Sequence, residues 1–306
     1  MAYTEASIPD LTGRTAVVTG ANGGLGLATT TALAGRGAHV VMAARNQGKA
    51  ATAREGVLAE DPGASLEVVE LDLGSLASVR GAADAVLAAH ERIDILVNNA
   101  GVMAMPNLVT ADGFEMQLGI NHLGHWALTA HLMPGLLAAD AARVVTVTSI
   151  ARHQGKPVDP SNPNMEGIYD PWAAYGRAKL ANFHFAIGLQ RDFRAAGASA
   201  ASLSAHPGLT NSELQATTVA EGGAGFQGRL WHTLARVTGM STTAGARPQL
   251  RAATDPAAQG GELYGPRFGT RGPAVRLRYR TGGLDDGIAA LWQVSERETG
   301  VALGVG

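Results

Sequence analysis

From residue 14 onward the chain alternates short apolar runs, many of them β-branched, with longer stretches rich in Ala and Leu. Strands covered on both faces read as short, near-continuous apolar runs, whereas the helices that cover them are longer. Arg14–Val18, Ala38–Ala43, Leu66–Leu71, Ile93–Val97, Arg143–Thr148 and Ala198–Ser204 fit the first pattern. Leu25–Ala34, Gln47–Leu58, Leu76–His90, Phe114–Leu137 and Tyr175–Ala195 fit the second. The alternation predicts an α/β protein with a doubly wound, mostly parallel sheet and helices on both faces. Further on, Thr243–Thr254 and Asp286–Glu298 read as helices flanking a short strand near Glu262–Tyr264. Repeats, low-complexity tracts and charge runs are absent, so residues 1–306 are expected to form a single domain. The Pro/Gly-bearing stretch from Gln154 to Pro171 reads as a loop within it. Glu213–Met240, Gly-rich and interrupted, reads as a lid over a ligand.

Composition narrows the function classes. Hydrophobic residues make up 46% and charged residues 16%, enough apolar material for a large core and too much for a disordered chain. Lys+Arg 24 against Asp+Glu 26 leaves a formal charge of -2, which provides no general field for nucleic acid or anionic lipid. With Cys 0, disulfides, thiolate zinc sites and a cysteine nucleophile are ruled out, and a reducing cytoplasm is the expected location. The opening MAYTEASIPD lacks the basic and apolar regions of a leader, and no run is long enough to span a bilayer.

Between the first strand and first helix lies Thr19-Gly20-Ala21-Asn22-Gly23-Gly24-Leu25-Gly26. Glycines spaced Gly20-xxx-Gly24-x-Gly26 permit a tight turn and close backbone approach, and a helix N-terminus attracts phosphate. A plain strand-to-helix turn would show a similar cluster, but its place after an apolar strand and before an Ala/Leu helix favours a dinucleotide. The second strand ends at Ala43-Ala44-Arg45-Asn46, where such a fold meets the adenine ribose. A carboxylate there would repel a 2′-phosphate, whereas the Arg45 guanidinium pairs with one. The expected cofactor is therefore NADP(H), with NAD(H) still usable; the plainer reading of Arg45 is a solvated surface side chain. Asp72 after the third strand reads equally as an acceptor for the adenine amine or as a cap or turn former. Asn98-Asn99-Ala100-Gly101, after the fourth strand, combines small residues with amides able to brace neighbouring strands.

Tyr175 and Lys179 are four apart, so on a helix they share a face. A phenol titrates near 10 and is a poor base at neutrality unless a neighbouring cation such as Lys179 stabilises its phenolate. In the opposite direction the phenol protonates a carbonyl oxygen as hydride arrives from a nicotinamide. Ser149, just past the fifth strand, sits at the carboxyl edge of the sheet, where its hydroxyl can hydrogen-bond the reacting oxygen.

With TGANGGLG (19–26), NNAG (98–101), Ser149 and YGRAK (175–179) in order, the chain resembles the classical short-chain dehydrogenases/reductases over roughly residues 12–300. The resemblance implies a Rossmann-type fold and a catalytic set of Asn121, Ser149, Tyr175 and Lys179. Asn121 would act through its main chain, holding a water that links Lys179 to solvent. Around the cofactor it places Gly20, Asn22, Gly24, Leu25 and Gly26; Arg45, Asn46, Asp72 and Leu73; and Asn98, Ala100 and Gly101. Tyr175 and Lys179 serve it too. His206-Pro207-Gly208 matches the segment beside the nicotinamide, so Pro207 and Gly208 join the set, with Thr210 and Ser212 as contacts to the carboxamide. NHLGHWALT (121–129), YDPWAAYGRAKLAN (169–182), HPGLTNSEL (206–214) and AATDPAAQGGELYGP (252–266) bring it nearer the retinol-dehydrogenase-like and protochlorophyllide-reductase-like branch. The 25 residues between Ser149 and Tyr175 match that branch's insertion, expected to border the substrate as a loop over 152–172. Ala178 stands where Ser is usual, and Arg177 adds a charge to the active helix.

Other features draw plainer readings. His122, His125 and His131 lack an adjacent acidic ligand, and no metal is expected. Trp126, Trp172, Trp231 and Trp292 read as core or pocket walls rather than a platform for bases. Arg267–Arg280 reads as a solvated strand face, or as the rim of an entrance or subunit contact in a homo-oligomer. Two function classes follow: an NADP(H)-dependent oxidoreductase acting on a carbonyl or alcohol of a lipophilic small molecule, and a catalytically idle nucleotide sensor or scaffold. An intact Ser149/Tyr175/Lys179 set favours the first.

Overall fold

Eight strands form one sheet in the order β3-β2-β1-β4-β5-β6-β7-β8. The first seven are parallel and β8 pairs antiparallel with β7. The strands are β1 (Thr15–Thr19), β2 (His39–Ala44), β3 (Ser65–Glu70), β4 (Ile95–Asn98), β5 (Arg143–Val147), β6 (Ala201–Ala205), β7 (Leu263–Pro266) and β8 (Ala274–Leu277). The computed structural model describes residues 2–210 and 239–305. Most of the expected lid, together with Ser212 and Trp231, lies outside the described residues.

Alternate residues of each strand feed opposite faces, which is why the inner strands β1, β2, β4 and β5 are mostly apolar, whereas the edge strand β3 carries Glu67 and Glu70. Val17, Val41, Leu96 and Val144 pack under α3 (Leu76–Ala89), α5 (Gly124–Leu137) and α6 (Pro171–Ala195), where Trp126 and Phe185 fill the layer. Ala16, Val18, Val40, Met42 and Val145 pack on the other face, against α1 (Gly24–Ala34), α2 (Gln47–Glu60) and α7 (Thr242–Thr254). A last helix, α8 (Asp285–Thr299), adds Leu291 and Val294 to the first layer. This is the doubly wound, Rossmann-type architecture expected from the alternation.

The boundaries differ in instructive ways. β4 starts at Ile95, just after Asp94, whose carboxylate is engaged by the Arg14 guanidinium (2.6 Å) and the Thr15 N–H (2.9 Å). α6 begins a turn earlier than Tyr175, with Asp170 capping the Ala173 N–H at 2.6 Å and Pro171 in the first turn. The continuous helix expected over Phe114–Leu137 is instead three pieces: α4 (Met116–Leu118), a π-helical turn (Gly119–Leu123) and α5. Glu115 causes the late start, because its carboxylate accepts from the N–H groups of Gln117 (2.9 Å) and Leu118 (2.8 Å) as an N-cap. Between Gln154 and Asp170 the chain has neither helix nor strand. No described helix is long and apolar enough to cross a membrane.

Candidate active site

Thr19 ends β1 and opens the glycine loop. Its hydroxyl accepts the N–H groups of Asn99 and Ala100, each at 2.9 Å, and meets His125 Nε2 at 2.9 Å. His125 Nδ1 lies 3.0 Å from the Asn121 carbonyl oxygen, which only accepts. The ring proton is therefore on Nδ1, and Nε2 takes the Thr19 proton. Burial pushes the His125 pKa down to about 4, so the ring is neutral and the tautomer stable at pH 7. One threonine hydroxyl thus joins the start of the glycine loop, the NNAG segment and the π turn.

The loop calls for glycine at positions 20 and 26. A Cβ on Gly26 would lie 2.1 Å from the Gly20 carbonyl oxygen, and Gly20 has φ +65°. No side chain caps the N-terminus of α1, which leaves amide donors there facing outward. This bare, positively polarised helix end is what a pyrophosphate requires, and the residues present fit a dinucleotide.

The residues expected to form the catalytic set meet at the carboxyl ends of β4 and β5. Asn121 grips the Val102 backbone twice: its Oδ1 accepts the N–H at 2.7 Å and its Nδ2 donates to the carbonyl at 2.9 Å. A Cβ on Gly101 would stand 2.7 Å from Asn121 Oδ1 and 3.4 Å from Lys179 Nζ, so all three meet at one point. α6 is held against β5 by Thr148 Oγ1 donating to the Lys179 carbonyl (2.6 Å) and Asn182 Nδ2 donating to the Val147 carbonyl (3.0 Å). Lys179 Nζ donates to that same carbonyl at 3.3 Å, which leaves further N–H donors on the ammonium. Ser149 hydrogen-bonds the Tyr175 phenol and also caps the Ala151 N–H at 3.2 Å.

Electrostatics refines the expected role of Lys179. Nζ lies 5.8 Å from the centre of the Tyr175 ring. Burial pushes the phenol up to about 12, with the Ser149 hydrogen bond opposing, and pushes the Lys179 ammonium down to about 8. Burial leads the influences on the phenol and no lysine charge is among them, so the phenol is protonated at pH 7.

The adenosine side is different. Arg45 is exposed, with no hydrogen bond or ion pair among the described residues. Asn46 caps α2 through Lys49 N–H at 2.9 Å. Asp72 Oδ1 accepts the Gly74 N–H at 2.9 Å, so this oxygen makes the turn, while Leu73 is buried in the core. Asn98 is fully buried, its amide on Thr129 at 3.1 Å, and Asn99 braces β1 through the Thr19 carbonyl at 2.8 Å. Beyond β6, His206 Nδ1 accepts the Gly208 N–H (3.2 Å), Gly208 takes φ +72°, and Thr210 donates to the Pro207 carbonyl at 3.2 Å.

Several functional contacts escape the sequence reading. Glu115 receives Arg177 Nη2 at 3.3 Å and the Tyr169 hydroxyl at 3.0 Å, tying the insertion and the active helix to the segment before the π turn. Arg177, seen in the sequence as an added charge, is a buried partner in this clamp. Trp172 stands edge-on to the Tyr175 ring, 6.3 Å between centres, as a wall beside the phenol. The histidines considered for metal are engaged elsewhere: His122 Nε2 meets Ser295 at 2.7 Å, and His125 bridges Thr19 and Asn121.

Comparison with known proteins matches residues 14–222 to the short chain dehydrogenase family model. The chain belongs to the short-chain dehydrogenase family. Among curated relatives, human retinol dehydrogenase 13 is 39% identical over 211 residues, 69% of this chain and 62% of its own length. Mouse polyprenol dehydrogenase is 42% identical over 211 residues, 68% of this chain and 63% of its own. The matches to these relatives thus span just under two thirds of their length. A crystal structure of an uncharacterized protein from Mycobacterium paratuberculosis aligns over 99% of both chains with TM-score 0.80 and 39% identity. A Beutenbergia cavernae structure, described as an NAD(P)-dependent gluconate 5-dehydrogenase with NADP at low occupancy, aligns with TM-score 0.65 and 26% identity. It covers 84% of this dehydrogenase-family chain and 96% of its own. The retinol-dehydrogenase-like branch read from the motifs agrees with these relatives.

Proposed function

We propose that this protein is an NADP(H)-dependent oxidoreductase that interconverts a carbonyl and an alcohol on a lipophilic small molecule. The observation that carries the reading is the meeting of Ser149, Tyr175 and Lys179 at the strand ends beside a glycine loop that presents a bare helix terminus. When bound, the nicotinamide supplies or accepts the hydride. The glycine loop and the N-terminus of α1 hold the pyrophosphate, Arg45 pairs with the 2′-phosphate, and Lys179 holds the nicotinamide ribose. By the family resemblance Pro207, Gly208, Thr210 and Ser212 would contact the nicotinamide.

In the reducing direction the Ser149 hydroxyl orients the carbonyl oxygen, and the Tyr175 phenol gives it a proton. A phenol at about 12 keeps that proton until the oxygen becomes basic. Lys179, at about 8, carries a proton that it can release near neutral pH, and so restores the phenol. Asn121 holds the π turn and Gly101 beside Nζ, keeping the relay end in place. A lipophilic substrate is supported by the Trp172 wall and by relatives named for retinol and polyprenol.

The test is to follow nicotinamide absorbance with NADPH and a panel of aldehydes and ketones that includes retinal. Carbonyl-dependent NADPH oxidation, faster for apolar than for polar carbonyls, is expected. A panel that leaves the rate at the carbonyl-free baseline would contradict the reading and favour a nucleotide sensor.

A further inference from the structure

We propose that His39, Glu67 and His90 form a binding site for a zinc-class divalent cation at the end of the sheet opposite Tyr175. His39 opens β2, Glu67 lies on the neighbouring strand β3, and His90 caps the C-terminus of α3. In a parallel sheet the strand starts share one end, so this cluster is remote from the carboxyl ends where Ser149 and Tyr175 meet.

Both imidazoles aim Nε2 at one carboxylate oxygen. His90 Nε2 lies 2.8 Å from Glu67 Oε1 and His39 Nε2 lies 3.8 Å from it, and the three ligand atoms fall within 4.8 Å of one another. Tetrahedral zinc with bonds of about 2.0–2.2 Å sets its ligand atoms roughly 3.3 Å apart. The two separations from Glu67 Oε1 straddle that value.

His39 gives the independent argument. Its Nδ1 is 2.7 Å from Ser65 Oγ, an outer partner of the kind that fixes a metal-binding imidazole. Its Nε2 is buried, has no hydrogen-bond partner among the described residues and faces a carboxylate oxygen 3.8 Å away. A cation seated between the two would bond to both. Two imidazole nitrogens and one carboxylate suit zinc better than magnesium or calcium, which prefer all-oxygen shells, and a water completes the tetrahedron.

The experiment is calorimetric titration of zinc chloride into the chelator-treated full chain, repeated with cobalt to read its tetrahedral absorption. One equivalent is expected, with affinity reduced at least about tenfold in His39→Ala and in His90→Ala and also weakened in Ser65→Ala. NADPH binding should be unchanged in all three. Should a histidine variant fail to fold, Glu67→Gln, which keeps the side-chain size, carries the same expectation. Absence of a stoichiometric event, or one equivalent bound undiminished by these variants, overturns the site.

Discussion

Around Tyr175 the polar groups are buried and joined, whereas around Arg45 they are exposed and, for Arg45 itself, unpartnered among the described residues. Thr19, His125, Asn121, Lys179 and Asn182 are all at least nine-tenths buried and tied to one another or to backbone atoms of Val102, Val147 and the π turn. The contrast follows from what the proposed function asks of each region. Proton transfer needs groups fixed within a fraction of an ångström, and burial with full hydrogen bonding provides that. Discrimination between two nucleotides needs only one charge in the right place, which a solvated arginine offers without structural cost.

The comparison breaks most severely at Lys179. Lys179→Ala removes both a proton carrier and a ribose contact, and turnover should fall by at least about a hundredfold with weaker cofactor binding. Steady-state kinetics and calorimetry of the variant check both arms; loss of only one would separate the roles assigned to this side chain. Arg45→Ala should lower NADP(H) affinity by about ten- to a hundredfold relative to NAD(H), while shifting stability by less than about 0.5 kcal/mol. Paired titrations and urea melts measure the two.

Thr19→Val tests the buried side by the opposite signature. The variant strands the Asn99 and Ala100 N–H groups and His125 Nε2, so folding stability should fall by about 1–3 kcal/mol. A urea midpoint unchanged from the parent would show that the network is not what holds the site.

A gentler probe is pH. His125 sits at about 4 in the folded chain against about 6.5 when unfolded, so between those values only the unfolded state binds the proton. Its contribution to stability is complete above about pH 6.5 and is lost as pH falls toward 4. His122, His184 and His206 are lowered by burial in the same sense, to about 3, 4 and 4, and steepen the acid limb. A folded His125→Gln variant should shed one proton from that limb, a slope change of about 1.4 kcal/mol per pH unit, read from melts between pH 4.5 and 6.5.

The strand series was legible because both sheet faces are covered, which writes each strand as an apolar run such as Val40–Ala44. The glycine loop and the Tyr175/Lys179 pair were legible because their chemistry imposes local spacing. The π turn was not, since Gly119–Leu123 has the composition of the helix around it and only a backbone shift of one residue marks it. Glu115 with Arg177 and Tyr169 escaped for another reason: contacts across 54 and 62 positions leave no periodic trace. His39, Glu67 and His90 are likewise brought together only by sheet register and a helix end.

The central claim is that Tyr175 is the proton donor of a carbonyl-reducing site. Its most direct test is Tyr175→Phe, assayed with NADPH and an accepted carbonyl while NADPH binding is measured on the same preparation. The account predicts turnover lower by about 10²- to 10⁴-fold with cofactor affinity nearly intact. Full turnover in the variant would contradict it.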